Sequence, residues 1–314
     1  MQHYFAPLEG ITDSIYRQFH HQFFPGLHRY YTPFFSPTMH RSLTQKEKRE
    51  LQPADSLGYA LVPQVLTRNP EDFLWMAQRC ADAGYEELNL NLGCPSGTVT
   101  AKGKGAGALR DTQALERFLE AIFSASPIAI SVKTRIGYAD PEEFPALLDI
   151  FNRYPIKELT IHPRTRVAFY SGSVDMDSFR YAVEHSKNPL CFNGNLCSIA
   201  EIDAFKEAFP TVGAVMLGRG LIADPGMLTP DGTQIGPLEQ FHDALLEAYT
   251  TVFGSSRNAM FRMKENLHYL ICRFDGGEKL YKRLRKTTDL QEYKDLMQTL
   301  FATVPLADQL HPNW

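Results

Sequence analysis

Cys94 stands between Gly93 and Pro95 in the run NLNLGCPSGTVTAKGKGAGALRD, where a strand-like stretch gives way to a glycine-rich loop. A structural cysteine usually sits within an apolar run and is inert; a thiol at a strand end is placed to meet a ligand. It suits a nucleophile, although spacing fixes no histidine beside it. It suits a proton donor equally, because a thiol with a pKa of about 8.5 is mostly protonated at neutral pH. The following loop carries Lys102 and Lys104 among glycines, and reads either as a flexible surface loop or as a mobile basic lid. Lys133 and Arg135 end one apolar run, and His162 and Arg164 end another. Gly218-Arg219-Gly220 follows a third. Glycines let backbone N–H groups approach a phosphate, and an arginine adds charge-assisted bonds. As a bare tripeptide the same residues are a turn. Asn193-Gly194-Asn195 has the same character and would form the other half of such a site.

The elements that position these residues alternate along the chain. Short apolar runs at residues 4–6, 28–32, 61–65, 87–91, 129–133, 158–162, 189–193 and 214–217 read as strands. Amphipathic stretches at 70–83, 112–123, 142–151 and 199–209 read as helices between them. Strand–helix alternation argues for a parallel sheet, and eight such units over this length fit an α/β fold of the (β/α)8 TIM-barrel type, usually about 250 residues. The second unit is longer and more polar than a simple linker. In such a barrel the chemistry lies at the strand C-terminal ends, with phosphate bound after the seventh and eighth strands. Gln64, Asn91, Lys133, His162 and Asn193 would then share one level at the rim. Each alone reads as a satisfied polar residue; together they argue for a shared site. After Gly220 a turn-rich junction leads into helical periodicity only, at 238–253, 259–274 and 289–301. The expected division is a barrel over residues 1–230 and a small all-helical domain over 231–314.

Composition bounds the partners. A net charge of -4 does not demand a nucleic acid, so any such contact must come from local basic patches. Lys279, Lys282, Arg283, Arg285 and Lys286 form one patch, and Lys46, Lys48 and Arg49 another; both also read as solvated faces. Five cysteines, odd in number and without a CxxC pair, argue against a disulfide framework or a zinc site. No metal is expected. Neither a signal peptide nor a membrane span is visible, and the cytoplasm is the expected compartment.

The strings APLEGITD, PQV, LNLGCPS, SVKTRIG, IHPRT, FNGN and MLGRG, over residues 4–220, occur in the order of the dihydrouridine synthase family. The chain resembles that family. RMKENLHYL, residues 262–270, resembles a signature of its C-terminal helical domain. The resemblance implies a TIM barrel holding FMN, NADPH as reductant, and a helical domain that helps grip tRNA. It places Pro7, Leu8 and Glu9 along the flavin, Gln64 at its pyrimidine edge, Lys133 near N1 and O2, and His162 close by. Asn193, Gly194, Asn195, Gly218 and Arg219 take the phosphate end. By the same resemblance Asn91 and Cys94 face the uracil, with Arg135 a substrate contact; Arg164 and Lys102 are expected as further substrate contacts. The mechanism the resemblance implies passes hydride from flavin N5 to uracil C6, with Cys94 delivering the proton to C5. A monomer is expected.

Some positions depart from the family pattern: Leu8 stands for a usual Met, Thr32-Pro33 for a Thr-Glu pair, Pro163 for Gly, and Asn195 for an acidic residue. They bear on which uridine is read. Three other readings compete: the same chemistry on ribosomal RNA, an FMN dehydrogenase of a small pyrimidine, and a degenerate barrel that binds RNA without chemistry.

Overall fold

A computed structural model describes residues 1–312. Its single sheet has nine strands: β1 (Gln2–Phe5), β2 (Arg29–Tyr31), β3 (Leu61–Val62), β4 (Gln64–Val65), β5 (Glu87–Leu92), β6 (Ala129–Gly137), β7 (Leu159–Thr165), β8 (Leu190–Phe192) and β9 (Ala214–Leu217). The order is β3-β2-β1-β9-β8-β7-β6-β5-β4, and the registered pairs are parallel. The two ends of that order, β3 and β4, are consecutive in the chain and separated only by Pro63. The sheet therefore curls into a nearly closed barrel, and the expected (β/α)8 architecture is present. The run at 61–65, expected as one strand, is two, because proline offers no N–H to the ladder; its carbonyl still accepts from Asn89 N at 2.9 Å.

Strand β5 is buried at all six positions. Leu88, Leu90 and Leu92 alternate with Asn89 and Asn91, and in a barrel both faces of a strand are covered. The polar face is therefore inside the protein rather than in water. Helices follow the strands with ordinary start signals. Asn69 caps Pro70–Asp82 through Glu71 N and Asp72 N, and Asp111 caps Thr112–Ala125 through Ala114 N. Asp175 caps Met176–His185, a helix outside the four stretches read from the sequence. At the N-terminal ends of the strands, charges are paired. Arg29 lies 3.4 Å from Glu87 and 4.0 Å from Glu158, Lys157 lies 3.0 Å from Glu87, and Tyr4 donates to Glu158 at 3.0 Å.

The chain falls into two compact units. One comprises Met1–Pro7, His28–Asn195 and Phe205–Met216. The other gathers Leu8–Leu27, Leu196–Ala204 and the chain from Leu217 onward. The second unit contains the helices Ile235–Phe253, Ser256–Leu270 and Leu290–Thr303, close to the three expected. It adds Glu278–Lys286, a basic helix whose Leu284 is buried. It also takes in Ser14–Phe23, which lies between β1 and β2 in sequence. Asp13 caps that helix through Tyr16 N and accepts from Tyr249 Oη at 2.9 Å. Phe241 packs edge-on to Tyr16 and Phe24, with ring centroids 5.4 and 5.2 Å apart. His20, buried beside Pro225 O, is pushed down to a pKa of about 3 by desolvation. No helix among the described residues is long and apolar enough to cross a membrane.

Tyr249→Phe deletes the hydroxyl of Ile235–Phe253 that donates to the Asp13 cap. A buried hydrogen bond to a charged acceptor contributes about 1–3 kcal/mol, so urea unfolding of this variant is expected to show a loss of that size.

Candidate active site

The site is built from side-chain amides that bridge three strands. Asn91 Nδ2 donates to Gln64 Oε1 at 2.7 Å, Gln64 Nε2 to Asn89 Oδ1 at 2.8 Å, and Asn89 Nδ2 to Ser131 Oγ at 2.8 Å. Thr32 Oγ1 accepts from Gln64 N at 2.9 Å. Gln64 and Asn89 are fully buried. A buried amide left unpaired costs about 1–3 kcal/mol, and in this chain each amide satisfies its neighbour. Asn91 also accepts from Gly93 N at 3.0 Å and Cys94 N at 2.9 Å. The residue expected to face a uracil thus shapes the turn that presents the cysteine.

Cys94 is half-buried, and its surroundings are cationic. Lys133 and Arg135 both interact electrostatically with it. Lys133 Nζ donates to Asn193 Oδ1 at 2.6 Å, its one hydrogen-bond partner among the described residues. Burial, with the Arg135 charge second, pushes the Lys133 ammonium down to about 8. Asn193 donates in turn to Met216 O at 2.8 Å, so its amide is committed within the barrel. Arg135 is almost wholly buried, bonded to Gly93 O and Thr165 O, each at 2.8 Å. Desolvation lowers its pKa to about 10. These bonds fix the Cys94 turn from the side opposite Asn91.

On β7, Arg164 Nη1 lies 3.0 Å from His162 Nε2. A guanidinium only donates, so His162 accepts there and carries any proton on Nδ1. Arg164 also bonds Ser171 O and Gly172 O, and reaches Asn195 Oδ1 at 3.4 Å. His162 was expected level with Lys133. Its register partner is Arg135, whereas Lys133 faces Thr160 and Asn91; the stagger that closes a barrel offsets neighbouring strands. Tyr170 was not foreseen. It is half-exposed, with its ring 5.4 Å from the Arg135 guanidinium and 6.2 Å from His162. It falls in a loop of mixed character, and no periodicity marks it.

The glycine-rich loop is packed rather than open. Ala106 N donates to Cys94 O at 3.1 Å, and Gly105, at φ +56, would place a Cβ 2.8 Å from that oxygen. At Gly107 a Cβ would lie 2.6 Å from Thr100 O. Lys102 is exposed, while Lys104 is partly buried toward Ser36 Oγ at 3.4 Å, and burial lowers its pKa. A cavity of about 600 Å³ beside this loop is lined by Thr67, Arg68, Gly103, Arg110, Asp111 and Phe118, none of them an expected site residue. Pro7 and Gly194 are half-buried, and Asn195 is exposed. A Cβ at Gly194 would meet the Phe192 ring at 2.3 Å, so any side chain there requires that ring to move.

Of the expected residues in the second unit, Leu8 donates to Thr12 Oγ1 at 2.9 Å and Glu9 is exposed. Gly218 precedes, and Arg219 opens, the short helix Arg219–Ala223. No group of acids, histidines or cysteines among the described residues could hold a metal ion.

Comparison with known proteins gives a consistent result. The family model described as dihydrouridine synthase matches residues 4–307. A probable tRNA-dihydrouridine synthase 1 of Synechocystis is 24% identical over 319 residues, covering 96% of this chain and 86% of the relative. A probable tRNA-dihydrouridine synthase of Rickettsia prowazekii is 30% identical over 231 residues, 71% of this chain and 68% of the relative. Among solved structures, morphinone reductase superposes with a TM-score of 0.51 at 12% identity, over 72% of this chain and 84% of that one. That likeness is one of fold.

Two outcomes follow from the packing and charge of the site. Gly107→Ala should lower stability by about 1–3 kcal/mol, since backbone must shift to admit the methyl; urea midpoints measure it. Lys133 has a lowered folded pKa, so unfolding takes up a proton between about pH 8 and 10.5. Stability attributable to it therefore rises with pH through that window. Lys133→Met should remove this rise and leave the cofactor-free protein about 1–2 kcal/mol more stable at pH 7, read from the difference between the two melting curves across pH.

Proposed function

Because this chain belongs to the dihydrouridine synthase family, we propose that it reduces uridine to 5,6-dihydrouridine in tRNA, with FMN as bound cofactor and NADPH as reductant. The observation that carries the reading is the Cys94 turn. A thiol at a strand C-terminal end is held by Asn91 on one side and Arg135 on the other, with a half-buried lysine near it.

The donor set suits a flavin. Lys133 keeps two ammonium hydrogens unused among the described residues, and Gln64 keeps one amide hydrogen. Such donors match an edge of ring nitrogens and carbonyl oxygens, and a cation there favours negative charge on the ring. Gly194 is proposed to offer its backbone N–H to a phosphate, and Gly218 and Arg219 are proposed as phosphate contacts of the second unit. When bound and reduced, FMN supplies the hydride that goes to uracil C6.

The rest is done by the chain. Cys94, half-buried, holds a proton for C5 and gives it up as the double bond is reduced. Asn91 fixes the direction of that thiol through the two backbone N–H groups of the turn. Arg135, Arg164 and Lys102 are proposed to orient the substrate. The packed loop is proposed to hold the Cys94 carbonyl through Ala106 N. The target base must leave its stack, which costs a few kcal/mol. Exposed Lys279, Lys282 and Arg285 on the basic helix are proposed to grip RNA phosphates and offset part of that cost.

Cys94→Ala is expected to retain FMN at full occupancy and to lose at least about 100-fold in dihydrouridine formation, the size of a general-acid contribution. Turnover on tRNA at the normal rate would remove Cys94 from the acid's role.

A further inference from the structure

Tyr138 carries two guanidinium groups over its ring. Arg110 Cζ is 4.7 Å and Arg166 Cζ 5.4 Å from the centroid. The three residues come from different elements. Tyr138 directly follows β6, Arg166 directly follows β7, and Arg110 ends the turn Gly105–Arg110. Both strands therefore deliver them to the C-terminal side, where Cys94 lies.

The two cations are also tied to the segment that follows the cysteine. Arg166 Nε donates to Pro95 O at 3.1 Å, and Arg110 Nη2 donates to Thr100 O at 3.2 Å. They bracket the short helix Gly97–Thr100. Each arginine has a single hydrogen bond to a backbone carbonyl, and neither forms an ion pair among the described residues. The acidic side chains nearest in sequence are engaged elsewhere. Asp111 caps Ala114 N, and Glu143 accepts from the N–H groups of Tyr138, Ala139 and Asp140. Arg110 is exposed and Arg166 half-buried.

A packing role explains this poorly. Each guanidinium gains a cation–π contact, but two like charges over one ring repel, and no carboxylate relieves them. Their unused N–H groups form two planar forks, the geometry that fits phosphate oxygens. We infer that Arg110 and Arg166, held on Tyr138, form a clamp for a phosphodiester of the RNA beside the nucleotide being reduced. The inference rests on the RNA reading given above. It follows from position: a base that swings toward Cys94 carries its flanking phosphates past residues 95–100, and phosphate contacts fix register without reading sequence. NADPH also carries phosphate, so the experiment must separate the two sources.

The test uses FMN-loaded protein and tRNA lacking dihydrouridine. R110Q, R166Q and their double variant are compared with the unsubstituted protein for tRNA affinity across salt, and for the KM of tRNA and of NADPH. The clamp predicts that the slope of log Kd against log salt falls by about 1 for each arginine removed. It predicts a KM for tRNA raised about tenfold in the double variant, with the KM for NADPH moved less than twofold. R166K, which keeps the charge, should retain most of the slope. An unchanged slope and KM for tRNA in a folded double variant overturns the clamp. A shift confined to the KM for NADPH overturns it too, and assigns the arginines to the dinucleotide. Failure of the unsubstituted protein to bind tRNA at all would sink the RNA reading itself, and the clamp with it.

Discussion

A barrel interior that carries polar side chains must satisfy them from within, and the chain of amides from Asn91 through Gln64 and Asn89 to Ser131 is how this protein does so. The constraint is severe because each orphaned group would cost about 1–3 kcal/mol, a large share of a domain's net stability. It also fixes geometry. Gln64 sits on the two-residue strand β4, whose ladder is cut short by Pro63. The amide chain ties that fragment to β5 and β6, where Asn91 and Lys133 face each other in register. Asn91 then has one oxygen left, and it accepts from two successive N–H groups in the cysteine turn. The position of Cys94 is thus inherited from the barrel wall rather than set by a free loop.

The two ends of the barrel treat charge in opposite ways. At the N-terminal ends, Arg29, Glu87, Lys157 and Glu158 are matched in ion pairs. At the C-terminal ends, Lys133 and Arg135 have no carboxylate partner among the described residues, and burial depresses both. Unpaired cations in a desolvated place destabilise the free protein. They make sense where an electron-rich ligand is to be held, and this end is the one that carries chemistry in such barrels. The Arg110–Tyr138–Arg166 stack extends the same pattern outward, so that positive charge runs from the interior to the surface around one turn.

Much of this was legible in the sequence because it rests on local signals. The alternation in ELNLNL and the glycines after Cys94 marked both the strand and the turn, and the run AVML was bounded correctly. The rest depended on tertiary partners. Leu and Asn alternate in β5 as in a half-solvated strand, yet the asparagines are buried because the barrel closes over them. The split at Pro63 follows from ladder chemistry that a hydrophobic run conceals. Ser14–Phe23 was not read from the sequence, and its Asp13 cap and Tyr16 pack with Tyr249 and Phe241 of the helical unit. Met176–His185 was missed although Asp175 caps it and Phe179 and Ala182, three residues apart, lie on its buried face. Arg166 and Tyr170 stand in a loop with no period, and only the folded barrel brings them to Pro95 and Arg135.

The central claim is that the thiol held by Asn91 serves the reduction of a uracil ring within RNA. The most direct measurement is nucleoside mass spectrometry of tRNA lacking dihydrouridine after incubation with the purified protein, FMN and NADPH. The account predicts uridine converted to a product heavier by two hydrogens at defined positions in the intact RNA. NADPH consumption with every uridine unchanged, or reduction of a free pyrimidine in place of tRNA, would contradict it.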